Sequence, residues 1–145
     1  MMHNKILKSI SKSSLLCGLL FTVSCSNTGV SLNNACENVC KISCHYKNMG
    51  YLGTGVAIGN NKILSCYHLF NHGLIEDIEL QFFYENEKVN ATLIAFNENK
   101  DLALLECNYK PFEIKGLSIS ETECKSGDVC YSVGYHKGKN LAVSE

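Results

Sequence analysis

The sequence contains no arginine and no tryptophan, and its one proline stands at position 111. Every strongly basic side chain is lysine, and the formal net charge is only −1. Without arginine, and with no basic cluster in the body of the chain, nucleic-acid binding has no support. Low-complexity runs and internal repeats are also missing, which sets aside disordered and solenoid architectures. Long apolar runs are missing too. Leu15–Val23 is short of the roughly 20 residues that a membrane-crossing helix needs. What remains is a chain of 145 residues, the size of one ordinary domain.

Cysteine is plentiful: there are nine, too many for a reducing cytosol unless they bind metal or act in catalysis. The first residues explain the compartment. Lys5, Lys8 and Lys12 precede the short apolar run, and no acid occurs before it. A basic start, a short apolar middle and a small residue at the exit predict a secretory signal over 1–24. Thr22-Val23-Ser24-Cys25 resembles a bacterial lipobox, although Thr22 stands where Leu is preferred. The resemblance implies lipid attachment at Cys25, and Ser26 after it implies the outer membrane. The alternative is ordinary cleavage nearby, leaving Cys25 a plain thiol. Attached acyl chains would hold stably, at about 0.8 kcal/mol per buried methylene. Removing 1–24 leaves ten lysines against fourteen acids, a net charge of −4.

A tether and cysteine-rich segment is expected over 25–50. There Cys36, Cys40 and Cys44 recur every four residues, with His45 adjacent. On a helix that spacing aligns them on one face. Three thiolates and an imidazole are metal-ligand types, but the spacing departs from the usual zinc patterns. The thiols are expected on the buried face of a short segment, or paired with Cys66, Cys107, Cys124 or Cys130. Neither a metal nor a cofactor is expected.

From Gly53 onward the pattern is that of short strands. Gly59-Asn60-Asn61 is turn chemistry between two apolar runs, the second being Lys62–Cys66. Ile78, Leu80 and Phe82 alternate with Glu79 and Gln81, a half-buried strand. Val89, Ala91, Leu93 and Ala95 are expected on one face of the next. The polar loop Asn97–Lys100 delivers Asp101 to the strand LALLEC, and Ile119 and Val129–Val133 supply two further runs. Strands at this pitch argue for an all-β barrel or sandwich.

Two positions carry chemistry. His68 ends a buried strand, where a ring can be held for general-base work. Asp101 opens another, where a carboxylate can take the Nδ1 proton of a neighbouring histidine. Singly, His68 reads as a satisfied core histidine and Asp101 as a strand cap. Asp77 and Asp128 lack such a setting, His72 and His136 read as solvated, and His45 as structural.

Together with Gly53-Thr54-Gly55, the segment Ser65-Cys66-Tyr67-His68 resembles the histidine motif of trypsin-like serine proteases, particularly the HtrA/Deg branch. Asp101-Leu102-Ala103-Leu104-Leu105 resembles their aspartate motif. Gly127-Asp128 and Gly134-Tyr135-His136-Lys137-Gly138 resemble the passage between their two barrels, with His136 in place of the usual proline. The resemblance implies a six-stranded antiparallel barrel lobe over 51–145, the first of a double-barrel fold. It implies His68 as general base and acid and Asp101 as its orienting partner. It also implies protein or peptide substrates, no cofactor, and export to the periplasm or a lipid anchor in the membrane, and it leaves a homo-oligomer open. The family's Gly-x-Ser-Gly-Gly nucleophile motif does not occur, so the chain reads as the front half of an enzyme. Two rivals stand beside this: a non-catalytic module, and a variant with a cysteine nucleophile.

Overall fold

Alternating apolar residues, cut by Gly and Asn turns, divide the chain into strands with little helix between them. The computed structural model describes residues 21–24, 31–47, 49–83, 86–108, 115–121, 125–136 and 138–144. In order these form β1 (Phe21–Ser24), α1 (Leu32–Glu37), β2 (Val39–Tyr46), β3 (Met49–Ala57) and β4 (Lys62–Ser65). After a 3-10 turn at Tyr67–Phe70 come β5 (Ile75–Phe82) and β6 (Val89–Asn97). A second 3-10 turn, Glu98–Lys100, leads into β7 (Leu102–Cys107), followed by β8 (Cys130–His136) and β9 (Asn140–Ser144).

Six strands close an antiparallel barrel in the order β2-β3-β4-β7-β6-β5. Closure leaves none of these strands with an unpaired edge. The expected six-stranded lobe is therefore present, but its first strand lies ahead of the boundary expected at residue 51. Only Cys36 sits on a helix. Cys40 and Cys44 lie on β2, where an even spacing also sends both side chains to one face. That face is the barrel interior, which they share with Ile42, Ile63, Leu80 and Leu105. Cys36, Cys40, Cys44 and Cys66 are free thiols. Among the described residues, no cluster of three or more metal-ligating side chains forms.

A second core lies outside the barrel wall. Val39, Val56, Leu64, Leu102 and Leu104 pack there with Val133 of β8. Strand β7 thus buries both faces, Ala103 and Leu105 inward and Leu102 and Leu104 outward. This explains its unbroken apolar run. Burying each such leucine contributes roughly 1.5–3 kcal/mol.

Two local features depart from the expected pattern. Leu93 pairs with Leu105 but Ala95 pairs with Leu104, because a bulge falls between them. The extra residue turns Ala95 toward the outer core, while Val89, Ala91 and Leu93 stay on the inner one. Ile119 lies in irregular chain and is not a strand residue. The β3–β4 turn follows the sequence: Gly59, Asn60 and Asn61 all take positive φ, at 90°, 51° and 56°. Gly and Asn are the residues that tolerate this region.

β8 pairs with β1 on one side and with β9 on the other, making a separate three-stranded sheet. Gly134, Tyr135 and His136 therefore belong to a strand. Cys25 lies outside the described residues. No helix among them is long and apolar enough to cross a membrane.

Candidate active site

The Tyr67–Phe70 turn forms because β4 ends at the buried Ser65 and the next apolar residues must turn back into the barrel. Leu69 and Phe70 are buried and anchor it, leaving His68 on its outer side. The other half is built by the polar loop. Asn97 caps the second 3-10 turn by accepting from the Lys100 N–H at 3.1 Å. Asp101 closes that turn in the left-handed region, at φ 51° and ψ 47°. Asp is among the few residues enriched there. The left-handed residue swings the chain into β7 and brings the carboxylate over the histidine turn.

The two meet at both carboxylate oxygens. Asp101 Oδ2 lies 2.7 Å from His68 Nδ1, and Oδ1 accepts the His68 backbone N–H at 2.7 Å. An ionised carboxylate only accepts, so in the neutral ring Nδ1 carries the proton and Nε2 the lone pair. Both side chains are about half exposed, 53% for His68 and 48% for Asp101.

Below the ring lies Cys66, with Sγ 3.6 Å from His68 Nε2. Burial, and then the charge of Asp101, push its thiol up to about 11. It is a protonated neighbour and a poor nucleophile. To one side, Tyr67 stacks on Phe96 with ring centroids 4.4 Å apart and planes 8° from parallel. Beneath the turn, Ser65 Oγ donates to the Thr54 carbonyl at 2.9 Å, and Thr54 Oγ1 accepts the Tyr135 N–H at 2.9 Å. Thr54 thereby ties β3 to β8. Gly53 and Gly55 flank it for reasons of space. A Cβ at Gly55 would lie 2.6 Å from Ile63 Cγ2, and one at Gly53 would lie 2.7 Å from Leu69 Cδ2.

The other candidates fall elsewhere. Asp128 caps its own loop, accepting the Lys125 N–H at 2.7 Å. His72 is exposed yet stacked flat on Tyr51, with centroids 3.9 Å apart. Asp77 does not open a buried strand, but it pairs with His45 Nδ1 across β2 and β5. The cross-strand register that joins them is not visible in local sequence.

Residues 53–145 match the family model of the trypsin-like peptidase domain. No curated protein matches the chain. Among solved structures, the active form of the Rv3671c protease from M. tuberculosis superposes with a TM-score of 0.67 at 16% identity, covering 92% of this chain and 59% of that one. A serine endoprotease from Yersinia pestis gives 0.65 at 21% identity, covering 77% and 40%. The MamO protease domain from Magnetospirillum magneticum gives 0.59 at 18%, covering 75% and 58%. The chain spans about half the length of these structures, and at such identities the likeness is one of fold. The family model runs over both turns that bring His68 and Asp101 together, and the chain belongs to the trypsin-like peptidase domain family.

Proposed function

We propose that this chain carries the histidine and aspartate of an exported serine endopeptidase of HtrA/Deg-like type, with the serine supplied from outside residues 1–145. One observation carries the reading: a carboxylate holds His68 at Nδ1 and at its backbone N–H, leaving the Nε2 lone pair to accept a proton. In that role Nε2 takes the proton of the serine hydroxyl as it attacks the peptide carbonyl. It then returns the proton to the departing amine, while Asp101 stabilises the imidazolium between the two steps. A serine hydroxyl at roughly 2.6–3.2 Å would displace the longer Cys66 contact. The donors for the oxyanion, and the pocket that reads the substrate side chain, belong to polypeptide outside these residues.

A cysteine nucleophile gains nothing from Cys66, which is buried, protonated and on the same turn as its would-be base. Export rests on the basic and apolar leader, and membrane attachment on Cys25. Cleavage before Cys25 would also remove β1 from the edge of β8.

The test is labelling with a serine-directed fluorophosphonate, on protein expressed with whatever coding sequence follows Glu145. Labelling is expected in the wild type and lost in His68→Ala. Equal labelling of both would end the assignment. Mass spectrometry of the N-terminal peptide from a bacterial host reads the lipid; an unmodified Cys25 would remove the anchor.

A further inference from the structure

A buried side chain ahead of residues 53–145 bonds to the histidine turn. Tyr46 is the last residue of β2, just past an irregularity in the β2–β5 register between His45 and Tyr46. Its ring enters the barrel and is 6% exposed. There its hydroxyl donates to the carbonyl of Leu69, the residue after His68, at 2.9 Å. The ring packs edge-on against Tyr51 at 5.5 Å and against His72 at 5.8 Å, and those two rings stack on each other. From the other side, the bare Cα of Gly53 leaves room for the Leu69 side chain.

We infer that Tyr46 is a positioning residue for His68, fixing the turn so that the backbone N–H and Nδ1 of the histidine reach both oxygens of Asp101 together. Two hydrogen bonds from one residue to one carboxylate require the turn to sit at a set distance from Asp101. The bonds themselves are half exposed and compete with water. The buried bond from Tyr46 does not, because its carbonyl has been withdrawn from solvent. Burial also raises the Tyr46 hydroxyl above its ordinary value, so it remains a donor across the working pH range. A phenylalanine would fill the same space but leave the Leu69 carbonyl without its donor. The turn would then be free to shift toward water, and His68 would shift with it.

This inference rests on the reading of His68 as the base, but its test does not need peptidase activity. Backbone amide hydrogen exchange, followed by NMR in the 145-residue chain, reads the His68 N–H directly. Tyr46→Phe is expected to speed exchange at His68 about tenfold, the equivalent of one hydrogen bond. The amides of Ile42 and Leu105 in the barrel wall should keep their wild-type rates. Gly53→Ala, which crowds Leu69 from the opposite side, is expected to give the same local signature. Tyr51→Phe, which leaves the Leu69 bond intact, should leave His68 unchanged. An unchanged His68 rate in Tyr46→Phe would overturn the inference. So would equal acceleration at His68, Ile42 and Leu105, because Tyr46 would then serve general stability only. Neither result bears on fluorophosphonate labelling, so the two readings fail separately.

Discussion

The barrel carries two histidine–aspartate pairs, and most of the obvious measures fail to tell them apart. His68 and Asp101 are 33 residues apart in sequence, His45 and Asp77 are 32. Exposure is similar too, 53% and 48% for the first pair against 43% and 54% for the second. In each, Nδ1 faces a carboxylate. The difference lies in what supports the ring. His45 and Asp77 are direct cross-strand partners on the outer face of β2 and β5, a pairing that any antiparallel ladder produces. His68 stands on a turn pinned by buried Leu69 and Phe70, and its aspartate binds ring and backbone at once. A base needs a ring that cannot turn away during proton transfer, and only the His68–Asp101 arrangement provides it.

The largest expected effect would separate the pairs most sharply. On the proposed function, and in protein expressed with the coding sequence that follows Glu145, Asp101→Asn should lower the rate of peptide hydrolysis by about 10⁴-fold, through the wrong histidine tautomer. Asp77→Asn should leave kcat/KM within about twofold, since an exposed carboxylate paired with His45 makes no contact specific to the transition state. Comparable losses from both substitutions would erase the distinction between the two pairs.

Next in size is the buried support. Phe70→Ala should destabilise the folded chain by about 3–5 kcal/mol, measured by urea denaturation, because it empties a core site beneath the His68 turn. The His45 side chain fills no such core site, and its removal to Ala is expected to cost about 1 kcal/mol or less.

A third expectation concerns pH. The Cys66 thiol beneath His68 is raised to about 11 by burial, and the Tyr135 hydroxyl to about 12 by the same cause. The ordinary thiol value is 9.0, so between pH 9 and 11 the unfolded chain gives up its Cys66 proton before the folded one does. The unfolded state then binds fewer protons, and stability falls as pH rises. The Cys66 contribution to thermal stability is expected to be level below pH 9 and to be lost through pH 11. Cys66→Ala should flatten part of that slope, and Asp77→Asn should not. In native protein at pH 8, Cys66 should resist iodoacetamide, and rapid alkylation there would contradict its burial.

The smallest effect is in the outer pair itself. Breaking His45–Asp77 with Asp77→Asn should change unfolding free energy by about 0–1 kcal/mol, as for most exposed ion pairs.

Much of the candidate site is legible in the sequence. His68 and Asp101 were named from motifs, and strand–turn chemistry marked Gly59-Asn60-Asn61 and the loop before Asp101. The second histidine–aspartate pair was not legible, because it depends on the register of β2 against β5. Register is set by burial across the whole ladder and leaves no local signature. The same holds for β2, whose cysteines at four-residue intervals fit a helix face as well as a strand face. Tyr46 carries no sequence signal because its partner is a backbone carbonyl, which every residue possesses. The bulge in β6 was hidden because period-2 alternation continues in the letters although the chain slips by one residue.

By itself the sequence determined that strands alternate with short polar turns, that one histidine and one aspartate end or open buried segments, and that a basic, apolar leader precedes them. Those are properties of neighbouring residues, and local sterics and side-chain transfer energies act at that range. The entry of β2 into the barrel wall, the meeting of a second, almost equally separated histidine–aspartate pair, and the bond from Tyr46 to the histidine turn were decided by tertiary structure alone. Each depends on which distant strands share a wall, and that is settled only when the whole chain competes to bury its apolar faces together.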